Sequence, residues 1–229
     1  MLTKKQWLKN TLDVFQKMKG DLKPYTIEIL GKGLEVLPNV FSPKYFTDSE
    51  WFSLEIPKIV KEGSFLEIGT GTGVVALFVA INGSKEIVAT DINPDAVENA
   101  KKNFTIHGFN ISTREGDLYS PLQADERFDF IFWNHPFNNA PYKPKEILLR
   151  SGLDYQYEGL KRFIAEGRLH LNKGGQILLG TGNIARINEI KKIAKENNYS
   201  IRLLKKKVSP IEHGSDILMD VRIYSLKPL

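Results

Sequence analysis

The sequence predicts an α/β fold: a mostly parallel sheet with helices on both faces and its last two strands antiparallel. Two observations predict it. Strand-like apolar runs at 64–68, 86–91, 111–115, 128–133 and 175–180 alternate with helical patterns at 74–82, 94–107, 155–171 and 184–197. Strands separated by helices are joined by right-handed crossovers, and the parallel sheet they build is covered on both faces. At the end of the chain, 200–208 and 217–226 are strand-like with only Pro210 to Asp216 between them. That gap is too short for a helical crossover, so these two strands are expected to run antiparallel.

The elements before residue 64 follow other patterns. Leu8, Leu12, Phe15 and Met18 recur at helical spacing among lysines, which predicts an amphipathic helix over 2–19 ended by Gly20. Tyr25 to Leu30 and Leu34 to Leu37 flank Gly31-Lys-Gly33 as the arms of a hairpin. Pro38, Pro43 and Pro57 then punctuate a segment containing Phe41, Tyr45, Phe46, Trp51 and Phe52, expected to pack in the core or over a pocket mouth. Residues 1–57 are thus expected to add a helix, a hairpin and an aromatic lid to a catalytic domain at 58–229, the two forming one compact unit.

Composition excludes several classes. The 229 residues suffice for one substantial domain, and the absence of cysteine rules out disulfides and thiolate metal sites, so no metal is expected. The longest apolar run, Val74 to Ile81, falls far short of the roughly 20 residues that span a bilayer. No membrane association is expected, and a chain without cysteines or an apolar leader fits a reducing cytoplasm. Charge is uneven: residues 1–23 carry six Lys against two Asp, and residues 186–229 carry ten Lys/Arg against five acids. Basic ends around an acidic middle suit either solubility or a polyanionic partner. Oligomeric state is not legible.

Candidate chemistry lies at three strand ends, where open α/β sheets bind ligands. The first is Glu67-Ile-Gly-Thr-Gly-Thr-Gly73. Gly69, Gly71 and Gly73 permit positive φ and let a ligand approach the backbone, just before a helix N-terminus with free N–H groups. A dinucleotide fingerprint requires small residues at positions one, three and six. Val74 occupies the sixth, which disfavours a pyrophosphate ligand and a nicotinamide-dependent oxidoreductase. The second end is Asp91-Ile-Asn-Pro94, whose acid lies 22 residues beyond Gly69 and is placed to accept from a ribose diol. The third is Asn134-His-Pro-Phe137, at the head of an 18-residue loop (135–152). The Asn134 side chain and the Pro136 backbone offer two carbonyl acceptors that can grip both hydrogens of a planar –NH2, with Phe137 as a stacking face. His135 is either a base near neutral pH or a residue turned to solvent or the loop. Between these ends lies Glu115-Gly-Asp117-Leu118.

Together these motifs resemble the class I S-adenosylmethionine-dependent methyltransferases, a Rossmann-like fold. More narrowly they are similar to the Asn-Pro-Pro-Tyr/Phe N-methyltransferases with a "methyltransferase small" domain. Val40-Phe-Ser-Pro-Lys-Tyr-Phe-Thr-Asp-Ser-Glu50 is similar to the Pro-Arg-x-x-Thr-Glu stretch of the HemK/PrmC-type glutamine methyltransferases. The chain departs from that pattern at His135 for Pro, at Lys44 for Arg, and in the short stretch before residue 24 where those enzymes carry a helical domain. The resemblance implies S-adenosyl-L-methionine as cofactor. Gly69, Thr70, Gly71 and Gly73 would receive its methionine part, with Glu67 near the amino group. Asp91 would hold the ribose, Ile92 and Leu118 would pack by the adenine, and Asp117 would hold the adenine amino group. Asn134, Pro136 and Phe137 would be catalytic. It implies N-methylation of a glutamine side chain in a protein or of an exocyclic nucleobase amine in RNA or DNA; a small-molecule acceptor, a nicotinamide enzyme and an inactive cofactor-binding module are the alternatives.

Overall fold

The computed structural model describes residues 3–212 and 214–229. Helix α1 (Lys4–Lys19) opens on a capping box in which the Thr3 side chain and Gln6 satisfy each other's backbone. Leu2, where the sequence pattern begins the helix, lies outside the described residues. The buried face is Trp7, Thr11, Val14, Phe15 and Met18, turned by one residue from the expected Leu8 and Leu12.

Strands β1 (Tyr25–Ile29) and β2 (Lys32–Val36) form the hairpin, closed by Leu30 and Gly31 at φ 49° and 75°. Helix α2 (Asp48–Val60) follows, a helix the sequence analysis did not place. Phe52, Ile56 and Val60 repeat every four residues along its buried side, but Pro57 concealed the pattern. The proline lies in the helix's last turn, and its carbonyl accepts from Lys61 N–H and Asn82 Nδ2. Helix α2 packs along α3 (Val74–Ile81), and residue 57, the expected edge of the lid segment, lies inside it.

The central sheet comprises β3 (Phe65–Ile68), β4 (Ile87–Asp91), β5 (Ser112–Glu115) and β6 (Phe128–Asn134), with β9, β10 and β11 following the loop described next. The expected loop after β6 holds two short parallel strands, β7 (Asn138–Ala140) and β8 (Leu153–Tyr155), with a 3₁₀ turn at Leu148–Ser151 between them. Helix α1 braces this segment. Thr11 Oγ1 accepts from Asn138 Nδ2 at 3.2 Å, Lys19 pairs with Glu146, and Phe15 lies so close to Gly152 that a Cβ there would stand 2.4 Å from its ring.

Helix α5 (Glu158–Gly167), strand β9 (Leu171–Gly182), helix α6 (Ile187–Glu196) and strands β10 (Tyr199–Pro210) and β11 (Leu218–Pro228) complete the chain. The seven-stranded order is β10-β11-β9-β6-β3-β4-β5. β11 alone is reversed, antiparallel to both β9 and β10, as the short final connection requires. From β3 the chain goes to β4 and β5 on one side and then returns to β6 on the other. The strand order therefore switches between β3 and β6, and a cleft opens beyond their carboxyl ends. No described helix is long and apolar enough to cross a membrane.

Helix α4 (Pro94–Ile106) is joined to the hairpin by one stripe of side chains. Asn99 bridges Leu37 N–H and Glu35 C=O, Asn103 takes Glu35 N–H and C=O, and His107 Nε2 meets Gly33 C=O at 2.8 Å. Four helical residues advance about 6 Å and two strand residues about 6.8 Å, so a stripe at 99, 103 and 107 tracks backbone groups at 37, 35 and 33.

A candidate cofactor and acceptor site

A cavity of about 460 Å³ occupies the switch-point cleft, bordered by Glu67, Gly69, Thr70, Gly71, Asp91, Ile92, Asp117, Leu118, Asn134 and Pro136. Ten of the expected site residues thus meet at one cavity. Gly73 and Phe137 do not border it.

The glycine turn shows why its three members differ. Gly69 (φ 65°) leaves room for the Trp133 indole, whose Nε1 would lie 3.0 Å from a Cβ. Gly71 (φ 57°) faces open space, with Phe41 O at 3.9 Å the nearest atom to a Cβ. Gly73 (φ 80°) is a packing glycine rather than a ligand-facing one: a Cβ would strike the Phe104 ring at 2.8 Å and the Ala100 methyl at 3.0 Å. The acids flanking the turn are buried and hydrogen-bonded to it. Glu67 Oε2 accepts from Thr70 Oγ1 at 2.7 Å and from Ala76 N–H at 3.1 Å. Burial, reinforced by the charge of Asp91, pushes the Glu67 carboxyl up to about 8. Asp91 Oδ1 accepts from Asn93 N–H at 2.9 Å and its Oδ2 from Gly71 N–H. Burial raises its pKa as well.

The rim is more exposed. Asp117 is paired with Arg162 at 2.6 Å, both side chains about half exposed. Leu118 beside it has φ 53°, a left-handed conformation that costs a branched residue about 1–2 kcal/mol and carries its side chain to the cavity.

On the acceptor side, β6 ends with Asn134 at the cavity. Its Nδ2 donates to Asp48 Oδ2 at 3.0 Å, and its Oδ1 is buried with no hydrogen-bond partner among the described residues. Phe137, expected to offer the acceptor a stacking face, is absent from the main cavity's wall and packs against Gly182 of β9. It borders a second cavity of about 40 Å³, which Asn134, Asp48 and His135 also line. Asn134 thus belongs to both cavities.

His135 matches neither expectation for it. Its side chain points inward, 1% exposed, with Nε2 at 2.9 Å from Thr181 Oγ1. Burial lowers its pKa to about 3, so the imidazole stays neutral near neutral pH and is a poor proton acceptor there.

Sequence reasoning missed several residues here. Trp133, Ser49 and Asp154 border the main cavity, beside Phe41 and Phe52 of the aromatic segment expected over a pocket mouth. Asp154 accepts from the Gly159 and Leu160 N–H groups at the start of α5. Trp133 was signalled by its place next to Asn134. Asp48 was within the stretch quoted above for its similarity, but its partner lies 86 residues away.

The model of the methyltransferase small domain family matches residues 33–201. A relative from Methanocaldococcus jannaschii, named as a candidate protein N5-glutamine methyltransferase, is 36% identical over 77% of this chain and 91% of its own. A release factor glutamine methyltransferase of Aliivibrio fischeri is 30% identical over 52% of this chain, which spans only 45% of that protein. Among solved structures, a Thermus thermophilus 16S rRNA N2 G1207 methyltransferase in complex with AdoMet and guanosine shares the fold, with a TM-score of 0.64 at 18% identity over 90% of this chain and 50% of that one.

The residues present fit the methyl donor of this family. The cavity places the Glu67 and Asp91 carboxyl groups and an open glycine beside apolar walls at Ile92 and Leu118, a set of groups suited to an amino acid joined to a nucleoside. The cofactor is S-adenosyl-L-methionine. The chain belongs to the methyltransferase small domain family, a class I methyltransferase with a Rossmann-like sheet.

Proposed function

We propose that the protein methylates the side-chain amide nitrogen of glutamine in a protein acceptor. The observation that carries this reading is Asn134 itself, which borders both cavities and whose Oδ1 is a buried carbonyl without a partner among the described residues. A buried acceptor left unpaired costs roughly 1–3 kcal/mol, a cost recovered when a donor arrives. A planar –NH2 is such a donor, and the carbonyl of Pro136, a residue of the main cavity's wall, would be the second acceptor. The smaller cavity, about 40 Å³, favours a compact group such as a carboxamide. The naming of the M. jannaschii relative agrees.

In this reading S-adenosylmethionine supplies an electrophilic methyl group bound to sulfur, so no strong base is needed. Gly71, Glu67 and Asp91 hold the donor from the β3–β4 side, with Asp117 at the rim. Asn134 and Pro136 hold the acceptor nitrogen from the β6 side and bind it more strongly as positive charge develops. Alignment of the two halves can supply roughly 7–11 kcal/mol of the barrier reduction. His135 takes no part in proton transfer; it supports the floor under Asn134 and Phe137 through Thr181.

The second reading is an exocyclic amine of an RNA base, favoured by the basic residues at both ends of the chain. Labelled methyl transfer from S-adenosylmethionine into fractionated cell extract separates the two. Label in protein, recovered as N5-methylglutamine after digestion, supports the first reading; label in RNA overturns it.

A further inference from the structure

We propose that Asp48 fixes the orientation of the Asn134 amide and is thereby a positioning residue for methyl transfer, an inference that rests on the acceptor role given to Asn134. An asparagine amide has two ends of nearly equal size and opposite hydrogen-bonding sense. Rotating it by half a turn replaces the unpartnered carbonyl with an –NH2, which repels the –NH2 it should bind. Something must select one rotamer before the acceptor arrives.

Asp48 meets that need. It is 4% exposed, and its Oδ2 stands 3.0 Å from Asn134 Nδ2. Burial raises the Asp48 pKa, while the hydrogen bonds from Asn134 and Ser49 N–H oppose that and favour the ionised form. An ionised carboxylate oxygen accepts and cannot donate, so only the amide's nitrogen end is stable on that side. The other oxygen, Oδ1, accepts from Ser49 N–H at 2.9 Å. Asp48 is the first residue of α2, where the unpaired N–H groups and the helix dipole favour an anion. The residue before it is latched to the end of the sheet: Thr47 N–H donates to Ile211 O at 3.4 Å and its hydroxyl to Pro210 O. The carboxylate is therefore held by its backbone and by α2 rather than by Asn134 alone. It borders only the smaller cavity, with both oxygens engaged, so it neither contacts the donor nor acts as a base. Asp48 accordingly decides whether the site presents an acceptor or a donor to the incoming group.

The test uses the full chain saturated with S-adenosylhomocysteine and labelled with ¹⁵N-asparagine, the Asn134 side-chain signal being assigned by its loss in Asn134→Ser. In the wild type the Asn134 amide protons exchange slowly with water. In Asp48→Ala that protection falls by about tenfold or more, as expected when a buried hydrogen bond is lost. Methyl transfer to N-acetylglutamine methylamide loses about 100-fold in kcat, with S-adenosylhomocysteine affinity within about twofold of wild type. Asp48→Asn retains one acceptor oxygen and falls between the two. Unchanged protection or unchanged kcat in a folded Asp48→Ala overturns the proposal. So does a parallel fall of cofactor affinity, melting temperature and kcat in both variants, the mark of a structural role only. If the wild type does not methylate the glutamine probe, the glutamine reading fails, while the exchange measurement still decides the role of Asp48.

Discussion

Asp91 Oδ2 accepts a hydrogen bond from the Gly71 N–H at 2.9 Å, so the acid that ends β4 and the middle glycine of the turn are held as one unit. The bond crosses from one strand end to the next and fixes the backbone that faces the donor. It also separates two glycines that look alike in sequence. Gly71→Ala keeps the backbone space but places a methyl group in the cavity and strains a left-handed residue, costing about 1–2 kcal/mol of stability and a larger share of S-adenosylhomocysteine affinity. Gly73→Ala forces a methyl group into the Phe104 ring and is expected to cost about 2–4 kcal/mol of stability, from strain and overpacking together. Denaturant unfolding and calorimetric titration distinguish them. A Gly73→Ala variant of full stability and weakened affinity would contradict the packing role.

Asn134→Ala removes the unpaired carbonyl while leaving the glycine turn intact. Turnover is expected to fall by about 10²–10³-fold with S-adenosylhomocysteine affinity nearly unchanged. Single-turnover methyl transfer beside a binding titration reads both quantities. An unchanged turnover number removes Asn134 from the acceptor half.

The buried Glu67 predicts a pH dependence of stability. Its carboxyl is held up at about 8 in the folded chain against an ordinary value of 4.5. Between those values the folded state keeps a proton that the unfolded state has released. The stability this contributes is complete below pH 4.5 and is lost as pH rises toward 8, by at most about 1.4 kcal/mol per pH unit. Glu67→Gln keeps an acceptor oxygen for Thr70 and Ala76 and removes the titration. Urea unfolding across that window should therefore show a flatter pH dependence in the variant, with its largest gain near the alkaline end. Parallel curves would show that Glu67 ionises freely.

His135 has the opposite linkage. Its pKa is lowered from 6.5 to about 3, so the stability gained by keeping it neutral is complete above pH 6.5 and is lost as pH falls toward 3. His135→Ala is expected to cost about 1–3 kcal/mol through the cavity it leaves. The shape of the pH–rate profile between about pH 6 and pH 8 should not change. An acidic limb near neutrality that vanishes in His135→Ala would restore the histidine as a base.

The alternation of strands and helices was legible because buried parallel strands read as apolar runs, and those runs fall where β3, β4 and β6 form. The site was legible where a strand end combines with an unusual residue type, as at Gly69, Asp91 and Asn134. What escaped depends on partners distant in sequence. Nothing local distinguishes Gly73 from Gly71, because the difference lies in the Phe104 and Ala100 that α4 sets against one of them. Phe137 follows the strand's end, where alternation no longer predicts direction, and β9 decides which way it turns. Helix α2 was hidden by Pro57, although its four-residue stripe was present. β7 and β8 are three residues each, too short to show a period, and they pair across the loop they enclose.

The stripe of Asn99, Asn103 and His107 has a consequence beyond holding α4 to the hairpin. A two-stranded hairpin leaves backbone groups along its outer side, a template on which another chain can add a strand. Here those groups at Gly33, Glu35 and Leu37 are already taken by side chains of the same molecule. Replacing the amides with aliphatic residues of similar size would leave the helix its packing but reopen that side. The polar stripe thus closes this side of the hairpin to strand addition.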